Sequence, residues 1–447
     1  MRMTRNPSLA TESRGAQLGI MKRLPVELHP DASRVVIRPF FPADDPLALT
    51  VPERSRLQRI ADRVLSMENA AVSAYLAQTL LPFVDRSYSV EKLLLARFEE
   101  INGRIIAKCS ATREQALLIG AFFQQEYSYE AAALFNPSVV PHPDQSGMPP
   151  GSLRFVLSLR GVGEGHISSV TFRTGSYNVK TGLTIDAPSR QVVAHRLERD
   201  PNPSASDGSI RIVCNEGDDL SERVLFPVTA QQRNGIEDLR LVRFVEDDRS
   251  SRYLGSYTAY DGRAIAPELL TTDDFRTFNL HRMEGPGAVN KGLAFFPRRI
   301  DGKYALLCRH DDESIWLALS DNLHHWGESV TVLSPRYPWE FIKIGNCGSP
   351  IELDEGWLVI THGVGAVRNY AIGACLLDKK DPSRLLARTP EPLLRAQADE
   401  RSGYVPNVVY SCGSLVHDGV LLLPYAIADS YTTFATVPID RLLATME

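Results

Sequence analysis

The sequence predicts an all-β five-bladed β-propeller preceded by an N-terminal α-helical extension, and three observations carry that prediction. Apolar periodicity changes from helical to alternating near residue 135, a strand–loop–strand unit recurs through the second part of the chain, and two of those units close on the same phrase. Three regions follow: residues 1–34 as a poorly ordered N-terminal segment, 35–134 as the helical extension, and 135–447 as the propeller.

From residue 53 to 127 apolar side chains fall three and four apart in ERSRLQRIADRVLSM, NAAVSAYLAQTLLPFV, SVEKLLLARFEEING and TREQALLIGAFFQQEY, with Ala, Leu, Glu and Arg dominating. Ser89 and Thr112 are placed to cap two of these helices, and Gly103 to end the third. No spaced His/Glu pair or Gly-rich loop lies here, so packing or self-association is the role expected of this region. Beyond the Pro-rich stretch 137–151, short alternating runs such as LRFVLSLR, KYALLCRH and WLVITHG take over, punctuated by Gly, Asp, Asn and Pro. Their units start near Arg154, Tyr253, Tyr304, Trp357 and Leu421; the last three intervals are about 51, 53 and 64 residues, in reach of propeller-blade repeats plus loops. The longer first interval leaves room for an insertion between about residues 176 and 232. TTDDFRTF (271–278) and SDNLHHWGE (320–328) supply the shared closing phrase.

The 447 residues carry 49 basic and 54 acidic side chains, a net charge of −5, with 43 % hydrophobic and 23 % charged residues. That composition supports a sizeable core and offers no global positive field for a nucleic acid. No stretch is long and apolar enough for a membrane span. Six scattered cysteines without a C-x-x-C pair suggest neither a disulfide framework nor a structural metal, and reduced thiols fit a cytoplasmic protein. Neither a metal nor a cofactor is expected.

Ligands of a propeller lie at its axial funnel, so candidate polar residues should recur once per unit. They do: Asn136 and Arg160, then Asp238 and Arg240 from NGIEDLR, Asp261 from TAYDG, Lys291 from GAVNKG, Arg309 from LLCRHDD, His362 and Tyr370, and Asp429 from AIADS. Strand alternation aims Asp238 and Arg240 to one face and Glu237 to the other. A partly buried carboxylate at Asp238 is suited to protonating a glycosidic oxygen; the plainer role is an ion pair with Arg240 or Arg243. Lys291, Arg309, His362 and Arg240 fall on separate units, and together they suit a phosphate pocket. HHW (324–326) reads as turn and packing, not as a metal site.

The phrases NGIEDLR, TAYDG, NKG with FFPRRIDGKYALLCR, IWLALSDNLHHW, IGNCGSP, EGWLVITHGVG, IGACLLDKKDPSRLLARTPEPLL and YVPNVVYSCG, in that order, resemble glycoside hydrolase family 130, the β-mannoside phosphorylases and related β-mannosidases. The resemblance covers roughly residues 135–445. It implies a five-bladed propeller on which inorganic phosphate, as co-substrate, cleaves β-linked mannosides with inversion to give α-mannose 1-phosphate. Asp238 matches the family's general acid, which acts through a hydroxyl of the mannosyl unit. Arg240, Lys291, Arg309, His362 and Tyr370 match its phosphate-binding set, while Asn136, Arg160, Asp261 and Asp429 match sugar-contacting positions. Departures are Leu239 for the proline of EDPR, Gly292 for the aspartate of NKD, and Cys308 for the usual histidine. Two other functions remain open on the same scaffold: an inverting exo-β-mannosidase with Glu237 or Glu313 as base, and a non-catalytic glycan-binding propeller. The helical extension is expected to form an oligomer interface and to wall the acceptor side of the funnel.

Overall fold

The computed structural model describes residues 19–42, 55–84, 90–103, 110–190, 192, 196–199 and 209–447. They divide into two units, one of residues 33–128 with 190–194 and one holding the remainder.

In the smaller unit, helices α1 (Arg56–Leu65), α2 (Asn69–Leu80), α3 (Val90–Asn102) and α4 (Arg113–Phe122) follow the expected periodicity. Thr112 caps α4 in a reciprocal box with Gln115, whereas Ser89 lies outside the described residues. The helix expected to run to residue 127 stops at Phe122, because Gln124–Ser128 pairs instead as a strand with Val35–Pro39. The unit is therefore mixed. Its core gathers Val64, Val72, Phe98, Ile101 and Ile119 from the four helices.

The larger unit is built of strands that form five antiparallel groups among the described residues. Group one contains Ala133–Pro141, Ser152–Val162 and Ser168–Asn178; group two begins with Gly235–Val245, Ser251–Tyr260, Ile265–Thr272 and Thr277–Arg282. These two share one sheet through a single parallel register pair, Gly235 with Ser168. Groups three, four and five centre on Tyr304–Cys308, Trp357–Gly365 and Val420–Ile427. The expected insertion is present: Ile210–Val213 and Arg196–Arg199 extend the outer edge of group two.

Residues 22–28, expected to be poorly ordered, form a strand. Lys22–Leu28 pairs antiparallel with Tyr431–Pro438 and becomes the outermost strand of group five, its register shifting between Leu24 and Glu27, around Pro25. Proline and charge are tolerated at such an edge, while Leu24, Val26 and Leu28 pack on Leu134, Phe155, Leu422 and Phe434.

Packing between groups is circular. One apolar cluster joins groups one and two through Phe172 and Phe278, and the next joins two and three through Phe244 and Trp326. Phe296 and Trp357 join three and four; Leu358 and Tyr425 join four and five; Phe155 and Phe434 join five back to one. Trp326 is fully buried and donates to the Leu323 carbonyl, so HHW packs a turn as expected.

Candidate active site

All five groups contribute to a polar cavity of about 420 Å³. Eight of the ten expected site residues line it: Asn136, Arg160, Asp238, Lys291, Arg309, His362, Tyr370 and Asp429. Two do not. Asp261 accepts the backbone N–H groups of Arg263 and Ala264 and shapes the hairpin turn after Tyr260, which accounts for an aspartate at that position without a ligand. Arg240 is fully buried behind the wall, donating to the carbonyl and side-chain oxygens of Asn346 at 3.0 and 2.7 Å and to the Tyr410 hydroxyl at 2.7 Å. It orients groups that face the cavity.

The backbone explains why these side chains converge. Asn136, Asp238, Asn290, Arg368 and Asp429 line the cavity with φ between 49° and 63°. Asn and Asp tolerate the left-handed region better than other side chains, and such residues concentrate where a strand must re-aim a functional group. The pairing of Gly235–Val245 with Ser251–Tyr260 slips between Glu237 and Arg240, and that of Ala133–Pro141 with Ser152–Val162 slips between Phe135 and Ser138.

The first of these bulges overturns the expected alternation. Glu237 and Asp238 both reach Arg160, whose guanidinium donates to Glu237 Oε1 at 2.6 Å and to Asp238 Oδ1 at 3.1 Å. Asp238 thus pairs with neither Arg240 nor Arg243, which instead donates to Ser251. Asn136 Nδ2 also donates to Asp238 Oδ1, at 2.6 Å. The Asn136 Oδ1 beside it is buried without a partner, an acceptor that a ligand hydroxyl can satisfy.

Burial alone would raise the Asp238 pKa, but Arg160, Lys291, the Asn136 amide and Arg240 outweigh it and hold the carboxyl below its ordinary range. For Glu237 burial prevails over the attraction of Arg160, with the Asp238 charge adding to the rise. Asp429, half-buried and beside Asp238, is pushed up to about 6 against the pull of Arg160, Arg368 and Lys291.

Cations share the wall with these carboxylates. Arg309 and Lys343 share Asp312, at 3.2 Å and 2.9 Å. Lys291 and Arg368 complete the set, so the wall holds five cations, counting Arg160, against Asp238, Asp312 and Asp429. A chain of net charge −5 thus concentrates positive charge at one cavity. His362 is stacked against Tyr370 with centroids 5.9 Å apart and tilted against Tyr410 at 4.9 Å. Sequence reasoning missed Lys343, Asp312, Arg368 and Tyr410. Lys343 lies three residues before Asn346 in the quoted phrase IGNCGSP and Tyr410 inside YVPNVVYSCG, so the phrases pointed to the place without singling out the side chain. Glu313, considered as a base, is exposed and outside the cavity wall.

The chain is similar to several known proteins. A family model described as β-1,4-mannooligosaccharide phosphorylase matches residues 215–447. A 1,2-β-oligomannan phosphorylase of Thermoanaerobacter sp. is 36 % identical over 222 residues, 47 % of this chain and 71 % of the relative. A β-1,4-mannooligosaccharide phosphorylase of Ruminococcus albus is 35 % identical over 185 residues, 38 % of this chain and 55 % of the relative. The structure of β-1,2-mannobiose phosphorylase from Listeria innocua superposes with a TM-score of 0.52 at 22 % identity, covering 70 % of this chain and 92 % of that one.

Proposed function

The chain belongs to glycoside hydrolase family 130, and from that premise we propose that it catalyses inverting phosphorolysis of β-linked mannosides, releasing α-mannose 1-phosphate. The five antiparallel groups, packed in a circle, are read as the five blades of a propeller whose axial funnel is the polar cavity. The observation that carries the reading is the charge of that cavity: Lys291, Arg309, Lys343 and Arg368 line it together with Asp238. An inverting hydrolase needs a free carboxylate to activate water, whereas phosphate is already an anionic nucleophile and needs a cationic clamp.

In this reading Lys291, Arg309, His362 and Tyr370 hold phosphate, with Arg240 acting from behind through Asn346 and Tyr410. Asn136, Arg160 and Asp429 hold the mannosyl unit. An oxygen of hydrogenphosphate attacks the anomeric carbon from the α face while the bond to the leaving oxygen breaks. Asp238 delivers the proton to that oxygen. The phosphate P–OH proton balances the reaction, so that the products are a sugar phosphate and a free alcohol.

Arg160 and Lys291 hold the Asp238 carboxyl below its ordinary range, and a bound anion and sugar work against this. Phosphate beside Lys291 neutralises one of the cations that depress the Asp238 pKa, and sugar burial excludes water, both of which favour the protonated carboxyl. Hydrolysis has less support, since Glu237 is engaged by Arg160. Incubation with β-1,2- and β-1,4-mannobiose separates the readings. We expect α-mannose 1-phosphate with phosphate present and no cleavage without it; free mannose at an equal rate in both would overturn phosphorolysis.

A further inference from the structure

We propose that His362 meets the anion as a hydrogen-bond acceptor, so that the cavity selects an oxyanion that still carries a proton, hydrogenphosphate, over one that does not, sulfate. This rests on the reading of the cavity as a phosphate site and adds what distinguishes phosphate there.

The imidazole has two nitrogens, and the fold has assigned one. Nδ1 lies 3.2 Å from the Asn346 carbonyl oxygen, which can only accept, so Nδ1 carries a hydrogen. The ring is held in that orientation: a Cβ at Gly345 would sit 2.4 Å from Cε1, and Tyr370 and Tyr410 pack on it. Turning it over would set a carbon against the carbonyl. Whether Nε2 also carries a hydrogen depends on the surrounding charge. Arg309 comes from the strand end of group three, Arg240 from group two and Lys343 from the adjacent strand; Asp312, the carboxylate of this corner, is engaged by Lys343 and Arg309. The Cys347 thiol is 3.9 Å from Nδ1. Burial and the three cations keep the ring neutral near pH 7.

Nε2 is then the polar atom that His362 has left for the cavity, and it offers a lone pair. Lys291, Arg309, Lys343 and Arg368 can only donate. An unprotonated anion satisfies those donors but sets an oxygen lone pair against that of Nε2. Hydrogenphosphate supplies the missing O–H, so the acceptor works as discrimination by repulsion.

Calorimetric competition on the full chain tests this without any catalytic step. We expect phosphate and arsenate, both protonated near neutrality, to bind at least tenfold more tightly than sulfate, about the worth of one satisfied hydrogen bond. In His362→Gln, whose amide can turn a donor toward the anion, that preference should shrink severalfold. Sulfate binding as well as phosphate to the unaltered protein overturns the inference and leaves phosphorolysis standing. Selective phosphate binding without phosphorolysis of any mannoside supports the inference and overturns the proposed reaction. Binding of neither anion overturns both.

Discussion

The innermost strands of the larger unit end in two cavities of nearly equal size and opposite chemistry. One, of about 420 Å³, is walled by the carboxylates and cations described above; the other, of about 430 Å³, is walled by Val139–Pro141, 241–243, Val245, Pro297, Arg298, 349–352 and 414–416. Each draws on all five groups, and in the strands Ala133–Pro141 and Gly235–Val245 the same element serves both, with Asn136 and Asp238 near one end and Pro141 and Val245 at the other. Buried polar contacts join these strands in between: Arg240 bonded to Asn346 and Tyr410, and the Ser138 hydroxyl accepting from Leu241 N–H. At the polar end the ladders of these two strands slip and Asn136 and Asp238 turn left-handed within them. At the apolar end the register is regular. Irregular backbone thus accompanies the chemistry, and regular pairing supports it from behind.

The sharpest way to break this comparison is to alter one residue at each end. Asp238→Asn keeps the shape and the Arg160 contact but removes the proton donor, and kcat on a mannobiose should fall about 10³-fold or more. Val242→Ala at the apolar end should leave kcat unchanged while costing about 1–2 kcal/mol in a denaturant titration. A comparable loss of kcat in both variants would mean that the two ends are one functional site.

A second test reads the polar end by pH. The Asp429 pKa is raised from 3.8 to about 6, so folding favours the protonated carboxyl, and its contribution to stability declines as pH rises from 4 through 6. Asp429→Asn removes that penalty and should stabilise the protein at pH 8 by about 2 kcal/mol, with little change at pH 4. Thermal unfolding at the two pH values checks this; equal shifts at both would place the effect in packing. The smallest change is expected at the hairpin turn. Asp261→Ala should leave kcat/KM for mannobiose unaltered and lower stability by about 1 kcal/mol or less, since it loses turn hydrogen bonds and no ligand contact. A tenfold loss of activity would return Asp261 to the site.

The site was legible in sequence to the extent that charge was conspicuous against its surroundings. Asp238, Lys291, Arg309 and Asp429 stand in or beside apolar strands, where an ionised side chain is costly unless paired or used, and all four line the cavity. Asp261 met the same criterion and does not line the cavity, because an aspartate after a strand is as well employed in a turn. Arg240 also met it, yet its partners, Asn346 and Tyr410, lie 106 and 170 residues away, too far for sequence spacing to reveal them. The companionship of Glu237 with Asp238 was hidden by the bulge, since a strand read as regular must send adjacent side chains to opposite faces. The edge strand 22–28 was obscured by Pro25 and by charged neighbours that an outer strand can carry.

By itself the sequence determined where helical periodicity gives way to strand alternation, because local periodicity follows from which faces must be apolar, and it pointed to the chemical character of the cavity, because charges in apolar strands must be paired or used. The circular packing was decided by tertiary structure: Phe155 meets Phe434, and Lys22–Leu28 joins the last strands, only when the chain ends come together. So were the partners of Asp238 and the setting of the His362 ring beside the Asn346 carbonyl. These depend on backbone slips and on carbonyls contributed by distant strands, and no local pattern of residue types encodes where such groups will lie.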